Sequence, residues 1–281
     1  MKKGIVVMSL FAFTLFVTGC TSMGTGMTEK DTVSIKNTKK IVVESSSADI
    51  EIVPEERDDI SIVLRTYKRG PRLEISDGKT VRIEAKDENW LNFGFSINSS
   101  PRLIIYIPKD YRESLDIKNS SGDLDINDFE LNGLNIDLSS GDMKGNTLSF
   151  EKGILKSSSG DIELTDIECS NLSITSHSGD LSLDDFEGAL NGTSNSGEVF
   201  IGYKKLNGDL DYLASSGNIT VDFNNANLDA KFDLKCSSGN ISLDYDLDDV
   251  KLEKENSVSG TSGKGIYAVT LNASSGDITV R

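Results

Sequence analysis

From residue 116 to the end of the chain, apolar and polar residues alternate in short runs, and the runs return about every 19 residues. After each of a series of glycines the second and fourth residues are apolar: Leu124 and Ile126, Ile162 and Leu164, Leu181 and Leu183, Val199 and Ile201, Ile219 and Val221, Ile241 and Leu243, Ile278 and Val280. Seven and five residues before the glycines the same holds, as in Leu115 and Ile117, Leu134 and Ile136, Leu172 and Ile174, or Phe232 and Leu234. Alternation at period two turns one set of side chains inward and the other outward, as in a strand with one buried face. A middle pair, Phe129 with Leu131, Leu148 with Phe150, Ile167 with Cys169, predicts a third inward wall.

The punctuation between runs is a repeated turn. Ser-Ser-Gly-Asp stands at 120–123, 139–142, 158–161 and 274–277, with variants at His177-Ser178-Gly179-Asp180, Asn195-Ser196-Gly197-Glu198, Ser215-Ser216-Gly217-Asn218 and Ser237-Ser238-Gly239-Asn240. Ser46-Ser47-Ala48-Asp49 is an earlier relative, and the glycines are spaced by 19, 19, 19, 18, 20, 22 and 37 residues. One such unit cannot cover its own apolar face, whereas units stacked at the strand spacing of about 4.8 Å bury it and pair their backbones. The pattern therefore predicts an all-β fold: a single-chain parallel β-solenoid of about 19 residues per coil, right-handed by the general preference for crossovers. The glycines are expected at positive φ.

Residues 33–115 keep strand patterning, as in Ile41 to Val43, Ile60 to Leu64 and Leu103 to Ile107, but lose the register. They are expected to form irregular β coils that cap the N-terminal end of the regular repeats at 116–281, which carry an insertion at about 246–265 rich in charge and glycine. Ahead of them, Lys2, Lys3 and the apolar run Ile5 to Val17 have the layout of a signal peptide over residues 1–19. Val17-Thr18-Gly19-Cys20 resembles the bacterial lipobox, which makes Cys20 the expected lipidation site and residues 20–32 a lipidated flexible tether. The expected location is extracytoplasmic, with the chain anchored to the bacterial cell membrane by lipid.

Charge narrows the partners. Loss of Lys2 and Lys3 with the signal leaves 27 basic against 45 acidic side chains, a net charge of −18. Nucleic acid is excluded as a partner by repulsion, and cationic peptides, a cell-envelope protein or a glycan remain. The serial Ser-Ser-Gly-Asp turns, the strand Ile105-Tyr106-Ile107-Pro108-Lys109 just before them, and the final Ser-Ser-Gly-Asp-Ile-Thr-Val together resemble the bacterial "putative adhesin" family of β-strand-repeat domains. The resemblance spans about residues 40–281. It implies a cell-envelope setting and a β-solenoid, and brings no catalytic residues.

The most suggestive chemistry is the acidic column Asp49, Asp123, Asp142, Asp161, Asp180, Glu198 and Asp277, with Asn218 and Asn240. The preferred reading has each side chain accepting hydrogen bonds from turn amides or serine hydroxyls. A row of weak calcium sites is the alternative. His177, the sole histidine, takes a serine's place in a repeated turn, and no base or nucleophile elbow accompanies it. Catalytic residues, cofactor and metal are therefore not expected. Cys169 and Cys236 fall on inward positions three to four coils apart, roughly 15 to 19 Å at the strand spacing, and are expected to stay free thiols. Trp90, Phe93 and Phe95 lie outside the repeat and are expected to pack as a cap or, where exposed, to offer a partner surface. The function expected is a binding, adhesion or structural module of the envelope. An acidic sensor or decoy for cationic envelope-active peptides is second, and a polysaccharide-active enzyme third.

Overall fold

The computed structural model describes residues 26–87, 100–224, 228–254 and 256–281; Cys20, Trp90, Phe93 and Phe95 lie outside the described residues. Among the described residues every regular element is a strand. The centre of the molecule is four long strands, β9 (Leu124–Leu138), β10 (Met143–Ser157), β11 (Ile162–Ser176) and β12 (Leu181–Ser194), stacked in parallel. Met143 pairs with Leu124 on one side and Ile162 on the other, and Ile162 pairs with Leu181. Sequence neighbours are thus layered one on the next in a solenoid-like stack.

Each long strand is folded into walls. In β9, Leu124 and Ile126 point inward, then Asn127 and Asp128 outward, then Phe129 and Leu131 inward, then Asn132 and Gly133 outward, then Leu134, Ile136 and Leu138 inward. The two places where alternation breaks are corners, and the third corner is the Ser-Ser-Gly-Asp turn. The first corner rests on a left-handed backbone at Asp128 (φ 61), Thr147 (φ 54), Asp166 (φ 55) and Asp185 (φ 51). Aspartate tolerates this region; threonine does so at a cost, because its branched Cβ crowds the backbone. At the second corner β12 is one residue short, where Gly188 lies against Cys169, which accounts for the glycine spacing of 18.

The turn glycines are fixed by two constraints. Gly160 sits at φ 114, and a Cβ placed on it would lie 2.1 Å from the carbonyl oxygen of Gly141 in the layer below. Only a residue without a side chain allows successive turns to approach this closely.

At both ends the order of layers departs from the order of the chain. Layers beyond β12 are β13 (Val199–Lys205) with β14 (Leu210–Ser216) and β15 (Ile219–Asp222), but the next layer is the C-terminal one, β20 (Tyr267–Ser275) and β21 (Ile278–Val280). Outside it lies the earlier segment, β16 (Ala230–Ser238) and β17 (Ile241–Leu243). The 37-residue glycine gap is therefore an excursion outward and back. The insertion expected at about 246–265 is ordered within it: β18 (Asp248–Lys254) and β19 (Ser257–Ser262) form an antiparallel hairpin whose β19 lies along β16.

The N-terminal end repeats the device. The strands β2 (Lys40–Ser45) and β3 (Asp49–Glu55) are sandwiched between β8 (Ser114–Asn119) with β9 and an outer layer of β6 (Thr80–Lys86) and β7 (Arg102–Pro108). Antiparallel strands then close the end: β4 (Asp59–Tyr67) on β7, β1 (Gly26–Ser34) on β4, and β5 (Arg72–Ser76) on β6. Two expectations are corrected here. Residues 40–55 form a regular layer with Ile41, Val43, Ile50 and Ile52 buried, and residues 26–32, expected in the flexible tether, belong to β1. Polar residues such as Thr28 and Thr32 hold strand geometry because β4 offers a complete row of backbone partners, from Tyr67 opposite Gly26 to Asp59 opposite Ser34. Covering the last parallel strand in this way blunts an edge that would otherwise pair with another chain.

Candidate functional site

The acidic column is a hydrogen-bonded ladder. Oδ1 of Asp49, Asp123, Asp142, Asp161 and Asp180 accepts the backbone N–H of Asp123, Asp142, Asp161, Asp180 and Glu198 respectively, at 3.1, 2.9, 2.9, 2.8 and 2.7 Å. The amide belongs to the next layer rather than to the same turn. Each side chain therefore ties two coils together. Glu198, one methylene longer, accepts instead from the side-chain amide of Asn218 at 3.3 Å. Asn218 Oδ1 then accepts from the N–H of Asp277 at 2.8 Å, and Asp277 Oδ1 from that of Asn240 at 2.7 Å. The ladder follows the spatial order of layers, with Asp277 between Asn218 and Asn240. From Asp123 on, the members are exposed, so the turn edge presents a straight acidic ridge with carboxylates at about the inter-strand spacing. Among the described residues no group of three or more His, Cys, Asp or Glu is arranged to hold a metal ion.

Behind the ridge, the small inward residue of each layer forms its own column. In stacking order it runs Ala85, Ser45, Asn119, Leu138, Ser157, Ser176, Ser194, Ala214, Ala273 and Cys236. The side chains of Ser157, Ser176 and Ser194 are buried in this column. His177 is exposed and donates its backbone N–H to the Ser157 carbonyl at 3.0 Å, as Ser120, Ser139 and Ser158 donate to the layer before them.

Both cysteines are free and buried. Burial, helped by the charge of Glu168, pushes the Cys169 thiol up to about 12, and burial also raises Cys236. From Ser176, at the end of the Cys169 strand, to Cys236 the column passes through Ser194, Ala214 and Ala273, four pairings in all. Deeper in the core, Tyr203 meets Phe186 edge-on and stacks on Phe223, each with ring centres 5.2 Å apart, and the series continues through Phe232 and Tyr245 at 6.2 to 6.4 Å. Of the tyrosines near the N-terminal end, Tyr111 is buried and donates to the Ser114 carbonyl at 2.8 Å.

Two surfaces went unnoticed in the sequence. A groove of about 570 Å3 runs along the left-handed corner, lined among others by Lys109, Asp128, Thr147, Ser149 and Asp166. Of its two cations, Arg112 is committed, paired to Glu130 at 3.1 Å and donating to the Lys109 carbonyl. The second is the turn joining β4 to β5, Tyr67 to Arg72, with exposed Arg65, Lys68 and Arg69 and no acidic residue from Ile60 to Arg72. Arg72 reaches Glu29 of β1 at 3.1 Å and the Lys68 carbonyl at 2.7 Å, which braces the turn against the first strand. The signal was present as the string Tyr-Lys-Arg-Gly-Pro-Arg, masked by a strongly negative total charge.

A stack of parallel strand layers with a repeated turn edge defines an all-β repeat domain. The family model of Toastrack DUF4097 matches residues 38–281, and the chain belongs to that family. No curated protein matches. Among solved structures, a "putative adhesin" from Bacteroides fragilis is similar at 13% identity and a TM-score of 0.53, over 91% of this chain and 97% of that one. A "putative adhesin" from Parabacteroides distasonis is similar at 14% identity and a TM-score of 0.45, over 91% and 98%. A "putative lipid binding protein" from Parabacteroides distasonis is similar at 14% identity and a TM-score of 0.41, over 92% and 98%.

Proposed function

We propose that this chain is a non-catalytic binding module of the bacterial cell envelope, secreted by residues 1–19, anchored through lipid on Cys20, and wound as a right-handed solenoid of about 19 residues per coil. The observation that carries the binding role is the exposed acidic ridge, a rigid line of carboxylates whose spacing is set by the backbone ladder behind it. Rigid, regularly spaced charge favours an extended partner, because little side-chain order is lost on contact. The naming of the Bacteroides fragilis structure as an adhesin is compatible with such a role. Retention of the protein from envelope extracts on the ridge, and its release by charge removal, is the test. If the triple change Asp142→Asn, Asp161→Asn and Asp180→Asn leaves the captured partners unchanged, the ridge is not the binding surface.

The ridge also favours the second reading, a sensor or decoy for cationic envelope-active peptides, since a line of carboxylates concentrates polycations. Binding of a lysine-rich peptide that falls steeply with salt and is lost in the same triple variant supports it. Salt-insensitive binding of a glycan would direct attention to Trp90, Phe93 and Phe95 instead.

A further inference from the structure

The β4–β5 turn at one end of the stack is locally basic, and the β17–β18 segment at the other is locally acidic. At the N-terminal end, Arg65, Lys68, Arg69 and Arg72 stand on or beside the β4–β5 turn, and the acid that reaches them, Glu29, is held by Arg72 and by the N–H of Leu73. At the far end Asp244, Asp246, Asp248 and Asp249 are exposed, with no basic residue from Asn240 to Val250. Twelve strand pairings separate β5 from β18 along one face, which is about 58 Å at the inter-strand spacing. The chain therefore has an electrostatic direction despite its negative total.

That direction coincides with the path of the chain. Gly26, where β1 begins, pairs with Tyr67 at the basic turn, and the next residue, Met27, is 39% exposed, its sulfur 3.7 Å from Arg72. Cys20 lies six residues earlier, a reach of about 20 Å at most. A lipid on Cys20 would keep the bilayer surface within that reach of the basic turn and away from the far end of the stack.

We propose that the β4–β5 turn, through Arg65, Lys68 and Arg69 with Met27 beside them, docks on the anionic phospholipid headgroups of the membrane that anchors the chain, and so stands the stack upright with its acidic end outward. The inference rests on the lipidation of Cys20 for its geometry. Basic residues next to an anionic surface each add about fivefold to partitioning, and one lipid plus a basic patch holds more firmly than either. Repulsion of the Asp244 to Asp249 end from the same surface turns the molecule the same way.

Tryptic cleavage of the full protein, extracted from cells and reconstituted, tests this. Lys68 and Arg69 are the reporter sites, and exposed Lys264 at the far end is the reference. On vesicles with about 30 mol% phosphatidylglycerol, cleavage at the turn is expected to slow about tenfold relative to Lys264. On pure phosphatidylcholine, or with about 0.5 M NaCl, the difference should vanish, and it should shrink in R65Q, which leaves both reporter sites in place. The salt arm uses the unaltered chain, so it decides even if R65Q fails to fold. Equal rates on both vesicle types overturn the docking. The anchor is tested separately by Cys20→Ser, which is expected to move the protein from the membrane fraction to the soluble one. If the unaltered protein is already soluble, the anchor fails, and protection of the turn on added anionic vesicles still supports docking while its absence overturns it.

Discussion

Asp161 accepts the backbone N–H of Asp180 from the next layer at 2.8 Å, so a residue that reads as a turn former acts between turns. Replacement by asparagine keeps an Oδ1 acceptor, as Asn218 shows by accepting from Asp277 at the same distance. Asp161→Asn is therefore expected to change stability little. Asp161→Ala removes the acceptor and is expected to cost about 1 kcal/mol in chemical denaturation. Equal stability of the two variants would mean that the ladder contributes nothing to the stack.

Gly160→Ala places a Cβ 2.1 Å from the Gly141 carbonyl oxygen and forces a left-handed φ on alanine. The expected loss is about 3 kcal/mol, in the range of severe backbone substitutions, read as a lower melting temperature. Gly160→Val should be worse, and an unchanged melting temperature for either would refute the close approach of the turns.

Thr147 is the threonine in a column of aspartates with left-handed backbone. Thr147→Gly or Thr147→Asn is expected to raise stability by about 1 kcal/mol, because both accept this conformation more readily. Denaturant midpoints of the two variants check it.

Alkaline pH is expected to destabilise the fold from about pH 9 upward. Cys169 ionises near 9 when unfolded but only at about 12 when folded, and Tyr212 is likewise held up to about 12, from 10, by burial. Between these values the unfolded state binds fewer protons than the folded one, so stability falls as pH rises. Urea midpoints should decline between pH 9 and 12, less steeply in Cys169→Ala. Alkylation of the folded protein at pH 8 should leave Cys169 unlabelled, since the thiolate is the reactive form.

Four pairings between the Ser176 and Cys236 layers correspond to about 19 Å of axial separation. A disulfide needs Cα atoms within about 7 Å. Mass spectrometry of unreduced, alkylated protein is expected to show two free thiols. A 169 to 236 bridge would contradict the layer order itself.

What the sequence made legible is whatever depends on one coil and its immediate copy. The inward pairs, the third wall at Phe129 and Leu131, and the glycine at each turn follow from local alternation and a fixed period. The order of layers does not, because Val269 with Leu271 and Phe232 with Leu234 present the same apolar pair, and either would fit above Leu210 and Tyr212. The strand at 26–34 was hidden for a related reason: its residues are mostly polar, and its geometry comes from β4. Thr147 carries no mark of its left-handed backbone beyond its 19-residue spacing from Asp128 and Asp166.

The placement of β20 and β21 beneath β16 and β17 has a consequence for synthesis. A ribosome releases the outer layer before the inner one, so Ala230 to Leu243 emerge before the layer on which they finally rest. Their final seat exists only once Tyr267 to Val280 have been made. The segment Tyr267 to Val280 is thus a keystone inserted late, and its loss would unseat the far end of the stack rather than trim it.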